Sequence, residues 1–266
     1  MIGETYRKLL PLKVRLKVRG LLGRSESRSE EPLNLGRQLA AFRYLKGEGI
    51  EIGALHLPLQ VPQVAKVKYV DRLSVAELRK QYEELSNLEL VNPDIIADGE
   101  LLETIQDSSQ DFVIANHFIE HSQNPLMALT NMFRVLRDEG ILYLAIPDKR
   151  YTFDVDRPVT TLDHVLTDYA KGPAWSKRDH FEEWVRLVNK TEDSVVQDRM
   201  DELLRMDYSI HFHVWTQREM WEMLAALRSK LDVLFDIELF LKNGEECIFI
   251  LRKEGSRHLA ATNSSE

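Results

Sequence analysis

The chain has 266 residues, 44% hydrophobic and 29% charged, enough for one large core and ordinary for a soluble globular protein. Its net charge of −8 argues against a general nucleic-acid binder, because phosphate affinity needs a basic surface. One cysteine, Cys247, excludes an intramolecular disulfide framework and a cysteine-rich zinc site, and no apolar run approaches the roughly 18–20 residues that span a bilayer.

Positive charge gathers at the start. Within residues 1–30, Arg7, Lys8, Lys13, Arg15, Lys17, Arg19, Arg24 and Arg28 stand against only Glu4, Glu26 and Glu30. Residues 1–34 are read as a basic N-terminal arm and linker, solvated, or resting on an anionic membrane face or a protein partner. The segment lacks the apolar core and small-residue cleavage site of a secretory signal.

Leu35 to Leu45 has helical spacing and stops at Lys46-Gly47. Gly49 to Ala54 is a short strand entering a glycine turn, and Val67 to Asp71 a second strand ending in an acid. Ser74 and Glu77 form a capping box for a following helix. Asp94 to Asp98 is a short third strand and Asp111 to Asn116 a fourth. Asn124 caps, and Pro125 opens, the next helix. Gly140 to Pro147 is the fifth strand. Strands separated by helices mean parallel pairing, and near-continuous apolar strands mean a sheet covered on both faces. From Lys149 the pattern changes to charged helical stretches, 161–170, 175–190 and 193–206, read as a helical cap inserted over 149–215. Thr216 and Glu219 form a second capping box for a helix through Leu231. Two apolar runs around Asn243-Gly244 make a hairpin, and 254–266 is a polar tail expected to be disordered.

This order resembles the class I S-adenosylmethionine-dependent methyltransferases, over roughly residues 47–148 and again 216–252. Glu51-Ile-Gly53 resembles the acid-x-Gly opening of their first cofactor motif. Asp71 resembles the acid that holds the ribose hydroxyls, and Asp98-Gly99-Glu100 the turn beside the adenine. Gln110 to His117 with His121 resembles the fourth-strand motif. Phe133 to Gly140 followed by ILYLAIP resembles the helix and strand that usually read R-V-L-x-P-G-G. EIGALHLPL, YVDRLS and IPDKRYTFD resemble a bacterial branch often linked to cell-envelope polysaccharide genes. The resemblance implies an α/β, doubly wound, mostly parallel seven-stranded sheet (a Rossmann-like methyltransferase fold) over 35–253, with a C-terminal antiparallel hairpin. It implies S-adenosyl-L-methionine as cofactor, with Glu51, Gly53, Ala54, Asp71, Asp98, Gly99, Asn116 and His117 as its binding residues. The sequence departs from the family's G-x-G-x-G loop: after Gly53 it reads Ala54-Leu55-His56-Leu57.

His117-Phe-Ile-Glu-His121 spells the H-x-x-E-H metal motif, but it sits between a strand and a helix and not on a helix. The expectation is therefore no metal, with Glu120 and His121 as a hydrogen-bonded pair or His121 at the pocket edge. An oxygen nucleophile needs a base that titrates near neutrality, which histidine supplies. His121, His211 and His213 are the candidates, with His211 and His213 alternating as if on one strand face. Asp148, after the fifth strand, is a further proton acceptor, with Lys149 and Arg150 available to an anionic group. Trp175, Trp184 and Trp215 are read as cap and core packing. The charges around His164 and His180 place those two on solvent-facing surfaces.

The expected activity is methyl transfer, an O-methylation, to a small-molecule or saccharide-type acceptor, with no nucleic acid as partner. The expected location is the cytoplasm, with the basic arm as a peripheral contact at the inner membrane face. A non-catalytic binding or scaffold protein that keeps the fold is the rival reading, and a zinc hydrolase built on HFIEH the third.

Overall fold

The structure is a computed structural model and describes residues 30–82 and 85–255. Most of the basic arm, residues 1–29, and the tail from 256 onward lie outside the described residues. In chain order the main elements are α1 (Glu30–Tyr44), β1 (Gly47–Ile52), β2 (Ala65–Asp71), α2 (Val75–Gln81), β3 (Ile95–Ile96), β4 (Gln110–Asn116), α3 (Pro125–Val135) and β5 (Leu136–Pro147). They continue with α4 (Leu162–Lys171), α5 (Lys177–Glu183), α6 (Val196–Arg205), α7 (Gln217–Leu231), β6 (Phe235–Asn243) and β7 (Glu246–Lys253).

The strands form one sheet in the order β3-β2-β1-β4-β5-β7-β6. β1 to β5 pair in parallel, and β7 runs antiparallel to both β5 and β6. This is the doubly wound, Rossmann-like methyltransferase sheet with its terminal hairpin. The apolar runs explain why it is covered on both faces. Val113, Ala115, Leu142 and Leu144 feed one layer, packed against α3 and α7. Phe112, Ile114, Ile141 and Tyr143 feed the other, with Ala40 and Ala41 of α1. Alternation with period two sorts neighbouring residues of one strand into the two layers.

Helix starts follow their caps. The Ser74–Glu77 and Thr216–Glu219 capping boxes are both formed, and the Asn124 side chain accepts from the Met127 N–H at 3.1 Å. β5 begins at Leu136, four residues before the expected Gly140. Leu136 pairs with Gln110, and the register then shifts to Phe112–Ile141, so an irregularity absorbs the exposed, charged Arg137-Asp138-Glu139.

Between β5 and α7 the chain forms a helical segment that holds α4, α5 and α6. α5 runs on into one π-helical turn, Trp184–Val188. Phe181, Val185, Val188, Met200, Leu203 and Phe212 give this segment its own small core. Among the described residues no helix is long and apolar enough to cross a membrane.

Candidate functional site

The chain moves outward from β1 through β2 to β3, then returns to the other side of β1 as β4. Open α/β sheets bind ligands at such a switch point, outside the carboxyl ends of the strands. A cavity of about 420 Å³ lies there. Ile52, Gly53, Asp71, Asp98, Gly99, His117 and Phe118 line its sheet side. Phe153, Trp184, Tyr208, Ser209, His211 and Phe212 line its cap side, and His121 lies among them. A guanidinium joins the two sides: Arg72 Nη1 donates to Asp207 Oδ2 at 3.1 Å and Arg72 Nη2 to the Tyr82 hydroxyl at 3.2 Å.

On the sheet side, Gly53 has φ +65°, a conformation that glycine adopts without steric cost. Two residues on, where the family pattern places its next glycine, Leu55 also takes the left-handed conformation, with φ +49°. A non-glycine residue pays roughly 1–2 kcal/mol for that. The altered loop thus keeps a glycine-like backbone, and the Leu55 side chain packs on Leu78, Leu85 and Leu90. Asp71 faces the cavity from the end of β2 while Oδ1 accepts from the Leu73 N–H; burial pushes its carboxyl above the usual range. Asp98 Oδ1 accepts from the N–H groups of Glu100 and Leu101 at 2.7 and 3.3 Å, which fixes the turn after β3. Gly99 is a close approach: a Cβ there would lie 2.7 Å from both Ile52 Cγ2 and Phe118 Cζ.

Glu51, Ala54 and Asn116 are not among the lining residues. Glu51 is buried behind the loop, where its carboxylate accepts from the Leu59 N–H at 3.0 Å and from Asn116 Nδ2 at 3.5 Å. Burial pushes its pKa up to about 7.

The H-x-x-E-H segment folds as a single 3-10 turn, Ile119–His121, after His117 at φ +49°. Its two imidazoles take different partners. His117 Nε2 lies 2.7 Å from Glu246 Oε2, whereas His121 Nδ1 lies 3.0 Å from both the Ile210 carbonyl oxygen and Ser209 Oγ. The helical metal geometry of that motif is absent. The expected Glu120–His121 hydrogen bond is absent too: Glu120 is buried, and neither carboxylate oxygen has a hydrogen-bond partner. Burial pushes Glu120 up to about 7 and His121 down to about 3.

On the cap side, His211 Nδ1 lies 2.7 Å from Asp154 Oδ2, and Arg157 Nη1 donates to Asp154 Oδ1 at 3.0 Å. Arg157 also donates to the His211 carbonyl oxygen at 2.8 Å. Burial opposes the charge on Asp154, but His211 and Arg157 outweigh it and hold the carboxyl below its usual range. Asp154 and Arg157 were not singled out from the sequence. The spacing D-x-x-R after β5 was the available signal, and only the fold brings it to His211.

Two expected catalytic residues also lie elsewhere. Asp148 does not line the cavity. It is buried, caps the turn Lys149–Tyr151, and binds Arg150 Nη2 at 2.6 Å. Lys149 is turned to the Val155 carbonyl oxygen at 2.9 Å. His213 is fully buried and also outside the lining. Residues 211–213 form no strand ladder, and the two imidazoles join different groups. His213 meets His164, Asp168 and His180. This corrects the expectation for His164 and His180: despite their charged helices they turn inward, His180 is buried, and their Nε2 atoms are 3.0 Å apart. Trp215 packs in the core and Trp184 in the cap, but Trp175 is about half exposed.

The sheet order and the cavity at its switch point define the class: a Rossmann-like fold of the methyltransferase type. Residues 47–144, from β1 into β5, match the family described as "Methyltransferase domain". No curated protein matches the chain. The solved structures similar to it include a SAM-dependent methyltransferase from Aquifex aeolicus (14% identity, TM-score 0.45, covering 89% of this chain and 96% of that one). The CurJ carbon methyltransferase has 14% identity and a TM-score of 0.42 over 80% of this chain; the chain spans half the length of that protein. A Rhodobacter sphaeroides protein described as a zinc-dependent alcohol dehydrogenase has 13% identity and a TM-score of 0.48, covering 90% of this chain and 97% of that one.

The cavity's lining fits S-adenosylmethionine, the cofactor of this domain family. Its volume lies in the range of small-molecule sites. Two acids, Asp71 and Asp98, face it from the sheet side, and Gly99 lies in the lining between them and Phe118, with Ile52 and Phe118 packed too close for a Cβ.

Proposed function

We propose that the protein is an S-adenosylmethionine-dependent methyltransferase that methylates a hydroxyl of a small, saccharide-type acceptor. The observation that carries this reading is one continuous cavity. It joins the strand ends at Gly53, Asp71 and Asp98 to the cap residues His211, Trp184 and Phe212.

When bound, the cofactor supplies an electrophilic methyl group. Asp71 would hold the ribose hydroxyls, the Asp98-Gly99 turn would flank the adenine, and Gly53 would open the loop over the remainder. The protein's contribution is alignment in a site shielded from water. Phe118, Phe153, Trp184 and Phe212 make the walls apolar, and aromatic faces also stack on sugar rings. His211 holds the proton. With Nδ1 donating to Asp154, its Nε2 lone pair is left to accept the proton of the attacking hydroxyl. Asp154 is a positioning residue: it fixes the tautomer and is itself fixed by Arg157.

A labelled-methyl assay with hydroxylated small molecules and sugar acceptors tests the reading. Transfer that depends on His211 supports it. A protein that binds the cofactor and methylates no hydroxyl-bearing acceptor contradicts the acceptor class.

A further inference from the structure

Apart from the cavity, the cap holds a second cluster of titratable side chains. His164 and Asp168 are four residues apart on α4 and share a face. His180 comes from α5, and His213 from the extended segment before α7. His164 Nε2 lies 3.0 Å from His180 Nε2 and 3.3 Å from Asp168 Oδ2, and His213 Nε2 lies 3.6 Å from Asp168 Oδ2. One donor atom from each of the four residues lies within 4.8 Å of every other.

We propose that His164, Asp168, His180 and His213 form a closed, four-ligand site for a divalent transition metal, zinc by preference, that locks the cap together. Four donors at about 2.0–2.1 Å from a tetrahedral zinc ion stand about 3.3 Å apart. The three donor separations above fall around that edge length. Three imidazoles and one carboxylate suit zinc and its neighbours, not calcium or magnesium.

Two features of the cluster make poor sense without an ion. Asp168 is fully buried, and its Oδ2 faces His164 Nε2 and His213 Nε2 at 3.3 and 3.6 Å without a regular hydrogen bond to either. Its other oxygen accepts from Ser176 Oγ at 3.0 Å, the outer-shell bond that orients a ligating carboxylate. The imidazoles also crowd one another: the ring of His180 lies 4.9 Å from that of His164 and 5.0 Å from that of His213, centre to centre. Burial drives His180 and His213 toward the neutral form, which is the form that binds metal. The half-buried His164 leaves a way in. When ligated, His213 gives up a long 3.4 Å contact with the Gln123 carbonyl oxygen.

With all four positions filled by protein, the ion is structural. It ties α4 and α5 to the segment that carries His211 and Phe212 into the cavity wall. Asn124 Nδ2 donates to the Asp168 carbonyl oxygen at 3.0 Å and the His213 N–H to the Glu120 carbonyl oxygen at 3.2 Å, so the same cluster touches the turn after β4. The inference is independent of whether the cavity binds a cofactor.

Elemental analysis of the full chain, together with cobalt(II) loading, tests it. The expected result is one transition-metal ion per chain and the intense visible bands of tetrahedral cobalt, both lost in H164A and D168N and kept in H121A. The proposal is overturned if the wild-type chain takes up neither zinc nor cobalt, or if its cobalt spectrum is that of an octahedral ion. It is also overturned if H121A loses the ion while H164A keeps it, which assigns the ion to Glu120, His121 and His211 instead. The cobalt spectrum of the wild-type chain decides the matter even where a variant does not fold.

Discussion

His117 Nε2 lies 2.7 Å from Glu246 Oε2, a contact that ties the carboxyl end of β4 to the first residue of β7. Glu246 is buried and answers three elements: Arg37 of α1 donates to both its oxygens, at 2.9 and 2.5 Å, Asn243 Nδ2 donates at 2.7 Å, and His117 completes the set. One wall of the cavity thus rests on the terminal hairpin.

This contact has a pH signature. Burial opposes the charge on Glu246, but Arg37 and His117 outweigh it and bring the pKa down to about 2. A depressed carboxylate stabilises the fold fully above its unfolded pKa, near 4.5, and loses that contribution as pH falls toward 2. The full effect is about 3 kcal/mol at most. Urea unfolding of wild type and E246Q at pH 7 and pH 3 checks this: the gap between them is expected to narrow at the lower pH.

Glu51 works in the opposite direction. Burial raises it to about 7, so the native state holds a proton that the unfolded chain releases near 4.5. Its contribution is fully present below pH 4.5 and is lost as pH rises to about 7. Replacing it by Gln removes the loss: E51Q is expected to be flatter than wild type between pH 5 and 8 in thermal melts, on the order of 1–3 kcal/mol.

Gly99→Ala tests the close approach beside the cavity. The new methyl group lies too near Ile52 and Phe118, so one of them must shift. Overpacking of this kind costs about 1–3 kcal/mol. A lower melting temperature together with weaker cofactor binding is expected.

His211→Ala and Asp154→Asn separate base from positioning residue. Losing a general base lowers kcat by roughly 10²–10⁴-fold. D154N leaves the imidazole in place but releases its tautomer, so kcat is expected to fall while cofactor affinity holds. Steady-state kinetics of both variants, with a titration of the cofactor, makes the comparison.

Local signals carried most of the sheet. The strands β1, β2 and β4 stand within two residues of where the apolar runs put them, and both capping boxes where Ser/Thr–Glu spacing does. The start of β5 was illegible because Arg137-Asp138-Glu139 reads as a loop, and only pairing with Gln110 extends the strand. The candidate acids Asp71 and Asp98 were legible as strand-end carboxylates. Asp154 was not, because its partner His211 is 57 residues away in sequence. His164 and Asp168 carried a readable four-residue spacing, but the charge of their helix masked an inward face that exists only once α5 and residues 211–215 pack on it.

Isothermal titration of the full chain with S-adenosylmethionine, and with its demethylated product, decides whether the cavity is a cofactor site. Saturable binding of both at one site per chain is expected. D71A, which removes charge-assisted bonds of about 1.5–3 kcal/mol, is expected to weaken both by roughly 10–100-fold. An absence of heat with either ligand, in a chain shown to be folded, contradicts a cofactor site there.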